Sequence, residues 1–196
     1  MAQRRINFTK SFMVFSLALL LGLPTAAYSA QLDGPQNREE RQMSALKEEV
    51  RHQLVTMPYY SVFDWLQAKV APDGTVTLMG YVTQPTVKSD AEWRIKRLES
   101  ANGVVNKIEV LPLSNHDDQL RTALYRAIYT SESPLFKYAL QSVGPIHMVV
   151  KNGHVSLKGV VASEADRNLA YIAARGVPGA FDVQNDLRVE EAKPIS

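Results

Sequence analysis

Apolar and polar positions along this chain alternate with two different periods, and the change of period marks its elements. Ile146, Met148 and Val150 take every second position before Asn152-Gly153, and Val155, Leu157, Gly159 and Val161 do so after it. Asn-Gly between two such runs signals a two-residue hairpin, because both residues accept the positive φ of a type I′ turn. That turn pairs Lys151 with His154, Val150 with Val155 and His147 with Lys158, and it puts both valines on the inner face. Four-residue spacing appears elsewhere. Leu46, Val50 and Leu54 predict a helix over about 44–55, and Leu120, Leu124 and Ile128 predict one over about 117–129. Asp117 and Asp118 suit the start of the second of these, and Pro58 and Pro134 help stop both.

The same order of elements occurs twice. Gly74–Val110 aligns with Gly153–Val189 at an offset of 79 residues without a gap, and 10 of the 37 positions are identical. The matches include Gly74, Val76, Leu78, Gly80, Val82, Asn106 and Val110, so they alternate as strands require. Each copy reads helix, strand, strand, helix, strand. In copy one the first strand spans about 65–70 and the turn is Ala71-Pro72-Asp73-Gly74. Second helices are predicted over about 85–100 and 163–176. Their apolar stripes are Val87, Ala91, Ile95 and Leu98 in one copy, and Ala165, Leu169, Ile172 and Ala173 in the other. The last strands run over about 104–111 and 183–190, with Asn106 and Asn185 among inward apolar residues. The fold class is therefore α+β, two tandem αββαβ modules, each a small three-stranded sheet packed by two helices.

The stretches Ile146–Val161 and Pro178–Val189 carry a more specific pattern. It runs apolar-x-apolar-x-Asn-Gly-x-Val-x-Leu-x-Gly-x-Val, then an Ala-rich helix, then Pro-Gly-x-x-x-Val-x-Asn-x-Leu-x-Val. This resembles the BON domain. Gly153, Gly159, Gly179 and Asn185 carry the motif in copy two, and Gly74, Gly80 and Asn106 in copy one. Copy one is the looser match, since Asn102-Gly103-Val104 stands where copy two has Pro-Gly before its last strand. The resemblance implies the αββαβ fold, a periplasmic setting and a binding role, with envelope phospholipid as the ligand and no cofactor or catalytic residue. It places domain one at 44–112 and domain two at 115–190.

The ends of the chain read differently. Arg4, Arg5 and Lys10 precede an apolar run from Phe12 to Leu23, then Pro24 and small residues. This is the order of a secretory signal peptide over 1–29, cut after Ser29 or after Ala27. Its apolar run is too short to cross a bilayer, which takes about 20 residues. A polar flexible leader is expected over 30–43 and a flexible tail over 191–196. Export changes the charge. The signal segment holds three of the 22 basic residues, leaving 19 against 20 acidic ones in the mature chain. A nucleic-acid partner, which calls for a basic surplus, is not expected. The chain has no Cys, so it lacks disulfides, a lipoprotein anchor and thiolate chemistry.

Chemistry-bearing motifs are sparse. His52, His116, His147 and His154 show no metal-ligand spacing, and no Gly-x-Ser-x-Gly, phosphate-binding or dinucleotide-binding glycine pattern occurs. The chain reads as a non-enzyme without metal or cofactor. Gly80 and Gly159, mid-strand on the inner face, suggest a helix crossing closely over the sheet. Asn106 and Asn185, as buried amides, are expected to tie the last strands to a neighbouring loop.

Three surfaces are candidates for binding. His147, Lys151, His154 and Lys158 all point away from the core on the outer hairpin face and fit lipid phosphates. Tyr59, Tyr60, Phe63 and Trp65, echoed by Leu135, Phe136 and Tyr138, suit a core more than a ligand. Met79 and Tyr81 point outward in copy one and suggest a contact between modules. Each module balances eight basic with eight acidic residues, so attraction to a membrane is local rather than long-range. The leading partner is an anionic phospholipid surface of the cell envelope. The alternatives are a protein-interaction or chaperone-like adaptor in envelope or osmotic stress, and an enzyme with a deep polar pocket.

Overall fold

The computed structural model describes residues 35–190. The expected signal peptide, the first residues of the leader and the tail over 191–196 lie outside the described residues. In chain order the elements are α1 (Pro35–Val55), β1 (Trp65–Val70), β2 (Thr75–Val82), α2 (Pro85–Lys96), β3 (Gly103–Val110), α3 (Asn115–Ile128), α4 (Phe136–Ala139), β4 (Ile146–Lys151), β5 (His154–Val161), α5 (Glu164–Arg175) and β6 (Asp182–Val189). They form two modules of one topology, each a three-stranded sheet in the order β1-β2-β3 or β4-β5-β6. The first two strands of each sheet are antiparallel, and the last is parallel to its neighbour, as a crossover through a helix requires.

The second hairpin has the register that its turn demands: Lys151 opposite His154, Val150 opposite Val155, His147 opposite Lys158. Asn152 and Gly153 have φ of 52° and 79°, the left-handed pair of a type I′ turn. The buried carboxylate of Asp117 accepts both turn amides, from Asn152 and Gly153, at 2.8 Å each. The cap of α3 is instead Ser114, whose hydroxyl accepts the Asp117 amide at 3.2 Å.

Helices cover one face of each sheet. Leu46, Val50 and Leu54 of α1 and Val87, Ala91 and Ile95 of α2 bury against Val76, Leu78 and Ile108. Leu120, Leu124 and Ile128 of α3 bury against Ile146, Met148 and Leu157 in the second module.

Four expectations need correction. Helix α1 begins at Pro35, so the later part of the expected flexible leader is helical. Residues 37–42 are exposed and polar, so no apolar period announces the helix. Helix-favouring Arg, Glu and Gln behind an initial Pro extend it.

In α5, Ala165 and Ile172 face solvent, while Asp166, Ala170 and Ala174 are buried. These three are the partners of Val87, Ala91 and Ile95 at the offset of 79 residues, so both helices bury the same positions.

No helix crowds the strand glycines. Gly80 and Gly159 have φ of 123° and 126°, and a Cβ would lie 1.9 Å from the Trp65 carbonyl oxygen or 1.8 Å from that of Pro145. The obstacle is the main chain entering the adjacent strand.

Finally, Asn106 and Asn185 bond to helices rather than loops. Their side-chain amides donate to the carbonyls of Lys88 at 3.1 Å and Arg167 at 3.2 Å. Their oxygens accept the amides of Ile108 and Leu187, two residues on. The same tether thus fixes α2 to β3 and α5 to β6.

Candidate binding surface

Strand β4 is an edge of its sheet, so its outer backbone groups need partners. Two come from α3 and its C-cap, where the Tyr129 hydroxyl donates to the Ile146 carbonyl at 3.0 Å and Arg121 donates to the Val150 carbonyl at 2.7 Å, and one comes from the segment just before β1. The Val62 carbonyl accepts the Met148 amide at 2.7 Å, and Val62 and Phe63 pack on the second module's core. The segment is itself rigidly held. The buried carboxylate of Asp64 accepts the Ser61 amide and hydroxyl at 2.9 and 2.8 Å, and those of Thr83 at 2.7 and 2.9 Å.

This packing overturns the expectation for His147. Its side chain leaves the sheet on the outer face but is only 6% exposed, because the first module covers it. Nδ1 lies 2.6 Å from the Asp64 carbonyl oxygen. A carbonyl only accepts, so Nδ1 carries the proton and the ring is held in that tautomer. Rings of Trp65 and Tyr60 stand 5.2 and 5.5 Å away, centroid to centroid. Burial pushes the His147 pKa below its ordinary value, against the opposing pull of hydrogen bonds to Asp64 and Ser61. Burial likewise pushes the Tyr60 hydroxyl up to about 12.

The other three members of the outer cluster remain accessible, yet each has an acidic partner. Lys151 Nζ sits 2.6 Å from Glu109 of β3, an ion pair that joins the modules. That hydrogen bond raises the Lys151 pKa. Lys158 Nζ sits 2.7 Å from Asp186 and holds that carboxyl below its ordinary range. His154 Nδ1 meets Asp182. Beside them runs an open groove of about 360 Å³, lined by Tyr81, Val149, Lys151, Ser156, Lys158 and Asp186 among others. Tyr81 therefore reaches the junction of the modules, while Met79 is half-buried on the same strand.

The aromatic segments divide. Tyr60, Phe63 and Trp65 are partly buried at the junction, and Leu135 and Tyr138 are buried in the second module. Tyr59 and Phe136 are exposed. The Tyr138 hydroxyl donates to the buried carboxylate of Asp166 at 2.8 Å, where Lys137 also binds at 2.9 Å. Burial pushes the Asp166 carboxyl up, and these bonds together with one to Ser163 outweigh it, leaving the pKa lowered. This network ties α4 to α5.

Sequence reasoning missed the exposed apolar set. Phe181 is 73% exposed and lies between the rings of His116 (6.1 Å) and His154 (5.8 Å). Trp93 and Ile172 stand out from α2 and α5, and Leu113 and Leu140 from connecting segments. For Trp93 and Ile172 a signal existed, the repeat offset carried through the helix stripes. Among the described residues no group of three or more His, Asp or Glu stands together as a metal site, and no helix is long and apolar enough to cross a membrane.

Two α+β modules of one topology, joined by the Val62–Met148, Asp64–His147 and Glu109–Lys151 contacts, define a tandem-repeat protein. The BON domain family model matches residues 44–112 and again residues 116–191, and the chain belongs to the BON-domain family. No curated protein matches the chain. Among solved structures it is similar to CdsD, a structural protein of the type III secretion system of Chlamydia trachomatis. The identity is 12% with a TM-score of 0.31, over 76% of this chain and 94% of that one. It is also similar to the C-terminal domain of CdsD, at 11% identity and a TM-score of 0.26, over 74% and 96% of the two chains.

Proposed function

We propose that this protein is an exported, non-enzymatic adaptor of the cell envelope that associates with anionic phospholipid surfaces. The observation that carries this reading is a set of large apolar side chains left in solvent although both cores are sealed: Trp93, Ile172, Phe181, Leu113 and Leu140. The two cores close without these five residues, and exposed apolar side chains of this size suit an interface. Family membership supports a membrane or envelope setting. The expected signal peptide over 1–29 supports export, with domains over 44–112 and 115–190 following it.

Co-sedimentation of the mature chain with phosphatidylglycerol-containing vesicles tests the reading. Binding above that to phosphatidylcholine alone, weakened by salt, is the expected outcome; equal or absent sedimentation overturns it. Cell fractionation with sequencing of the mature N-terminus tests export, with Ala30 or Tyr28 expected first.

A second reading, a protein-interaction or chaperone-like adaptor in envelope stress, draws on β1. That strand is a sheet edge whose Gln67, Ala68 and Lys69 are exposed, which suits strand addition by a peptide. Specific peptide capture without any lipid preference favours this alternative.

A further inference from the structure

We infer that the outward faces of α2 and α5, centred on Trp93 and Ile172, are the surfaces that meet anionic phospholipid. This rests on the membrane reading above and says where on the molecule that contact is made.

The repeat offset of 79 residues aligns Trp93 with Ile172. The alignment is structural as well, since the buried partners Ala91/Ala170 and Ile95/Ala174 keep the same offset in the two helices. The two residues therefore occupy one place in two copies of one fold. They are 57% and 66% exposed. A single exposed apolar side chain is ordinary. Here the copies differ at 27 of 37 aligned positions, yet both keep a large apolar residue at a place where the core does not use it. A requirement outside the fold accounts for that retention.

Charge identifies the occupant. The Arg97 guanidinium lies 4.4 Å from the centroid of the Trp93 ring. Arg175, one turn beyond Ile172, lies 5.7 Å from the Tyr171 ring. Among the described residues neither guanidinium forms an ion pair with a carboxylate, in contrast to Lys151, Lys158 and His154. The helix dipole favours a cation in the last turn but does not ask for a bulky apolar neighbour. Nearby Glu92 is engaged by Lys96 and Asn106, which leaves Asp90 as the acid on that side of α2. An indole or aliphatic group that enters the headgroup layer, beside an arginine that meets phosphate, is the composition of an interfacial anchor. The arrangement fits anionic lipid better than a neutral surface.

The test uses the full mature chain and vesicles of phosphatidylglycerol with phosphatidylethanolamine. Trp93→Gln and Ile172→Gln are each expected to weaken co-sedimentation about fivefold, and the double variant more than tenfold. Both sites are exposed, so thermal melts should match the unmodified chain. Trp93→Phe keeps an apolar ring and is expected to retain binding while losing the blue shift of tryptophan emission that vesicles produce. If the double variant binds as well as the unmodified chain, this inference falls and the membrane reading survives through another surface. If the unmodified chain does not bind, both fall.

Discussion

The imidazole of His147 donates from Nδ1 to the main-chain oxygen of Asp64, and this one hydrogen bond links residues 83 positions apart in two different modules. Because the carbonyl accepts and the ring is buried, the joint is built for a neutral histidine. Protonation adds a charge among Tyr60, Trp65 and the Asp64 main chain, where little water reaches it. The Asp64 carboxylate does lie close, but its oxygens are occupied by Ser61 and Thr83.

A pH dependence follows. The His147 pKa is lowered from 6.5 in the folded chain, chiefly by burial. The unfolded chain therefore takes up this proton first. The His147 contribution is constant above about pH 6.5, falls as the pH drops through that value, and levels off once the folded-state pKa is passed. Urea midpoints between pH 7.5 and 5 should show the decline, and His147→Gln should flatten it. An unchanged slope in that variant rules the joint out as its source.

Gly159→Ala is expected to cost about 3–5 kcal/mol, because its Cβ collides with the Pro145 carbonyl at a φ that L residues rarely adopt. Gly80→Ala meets the Trp65 carbonyl in the same way. Denaturation in urea measures both, and a loss below about 1 kcal/mol shows that the strand entry can shift.

Asp117→Ala leaves the amides of exposed Asn152 and buried Gly153 without their acceptor. A loss of about 2–3 kcal/mol is expected, with faster hydrogen exchange at those two amides. Full protection of both amides in the variant contradicts the clamp.

Charge reversal on the sheet face should matter little for lipid. Lys158 is engaged by Asp186 and Lys151 by Glu109, so Lys158→Glu is expected to reduce vesicle binding less than Trp93→Gln does. Exposed pairs of this kind contribute at most about 1 kcal/mol to stability. A larger loss of binding on reversing Lys158 returns the contact to the hairpin face.

Much of this was legible in the chain because its signals were local. Asn152-Gly153 and the flanking valines fixed a register that the structure reproduces pair by pair. The stripe of α5 is obscured because Ala-rich helices offer weak contrast, and Leu169 and Ile172 draw the apparent stripe toward themselves. Carrying Val87, Ala91 and Ile95 forward by the repeat offset points to Asp166, Ala170 and Ala174. The glycines were recognised but their neighbour was not, since a carbonyl on the adjoining strand leaves no mark in a side-chain pattern. The burial of His147 had no sequence signal either. Its cover comes from irregular chain before β1, where no period operates.

The Val62 carbonyl on the Met148 amide bears on what the second repeat is when alone. Without residues 61–64 the Met148 amide loses its acceptor and the His147 ring its cover, whereas Tyr129 and Arg121 still hold the carbonyls of Ile146 and Val150 on the same margin. The first repeat thus finishes its neighbour, sheltering one amide and one imidazole that the second repeat cannot shelter for itself.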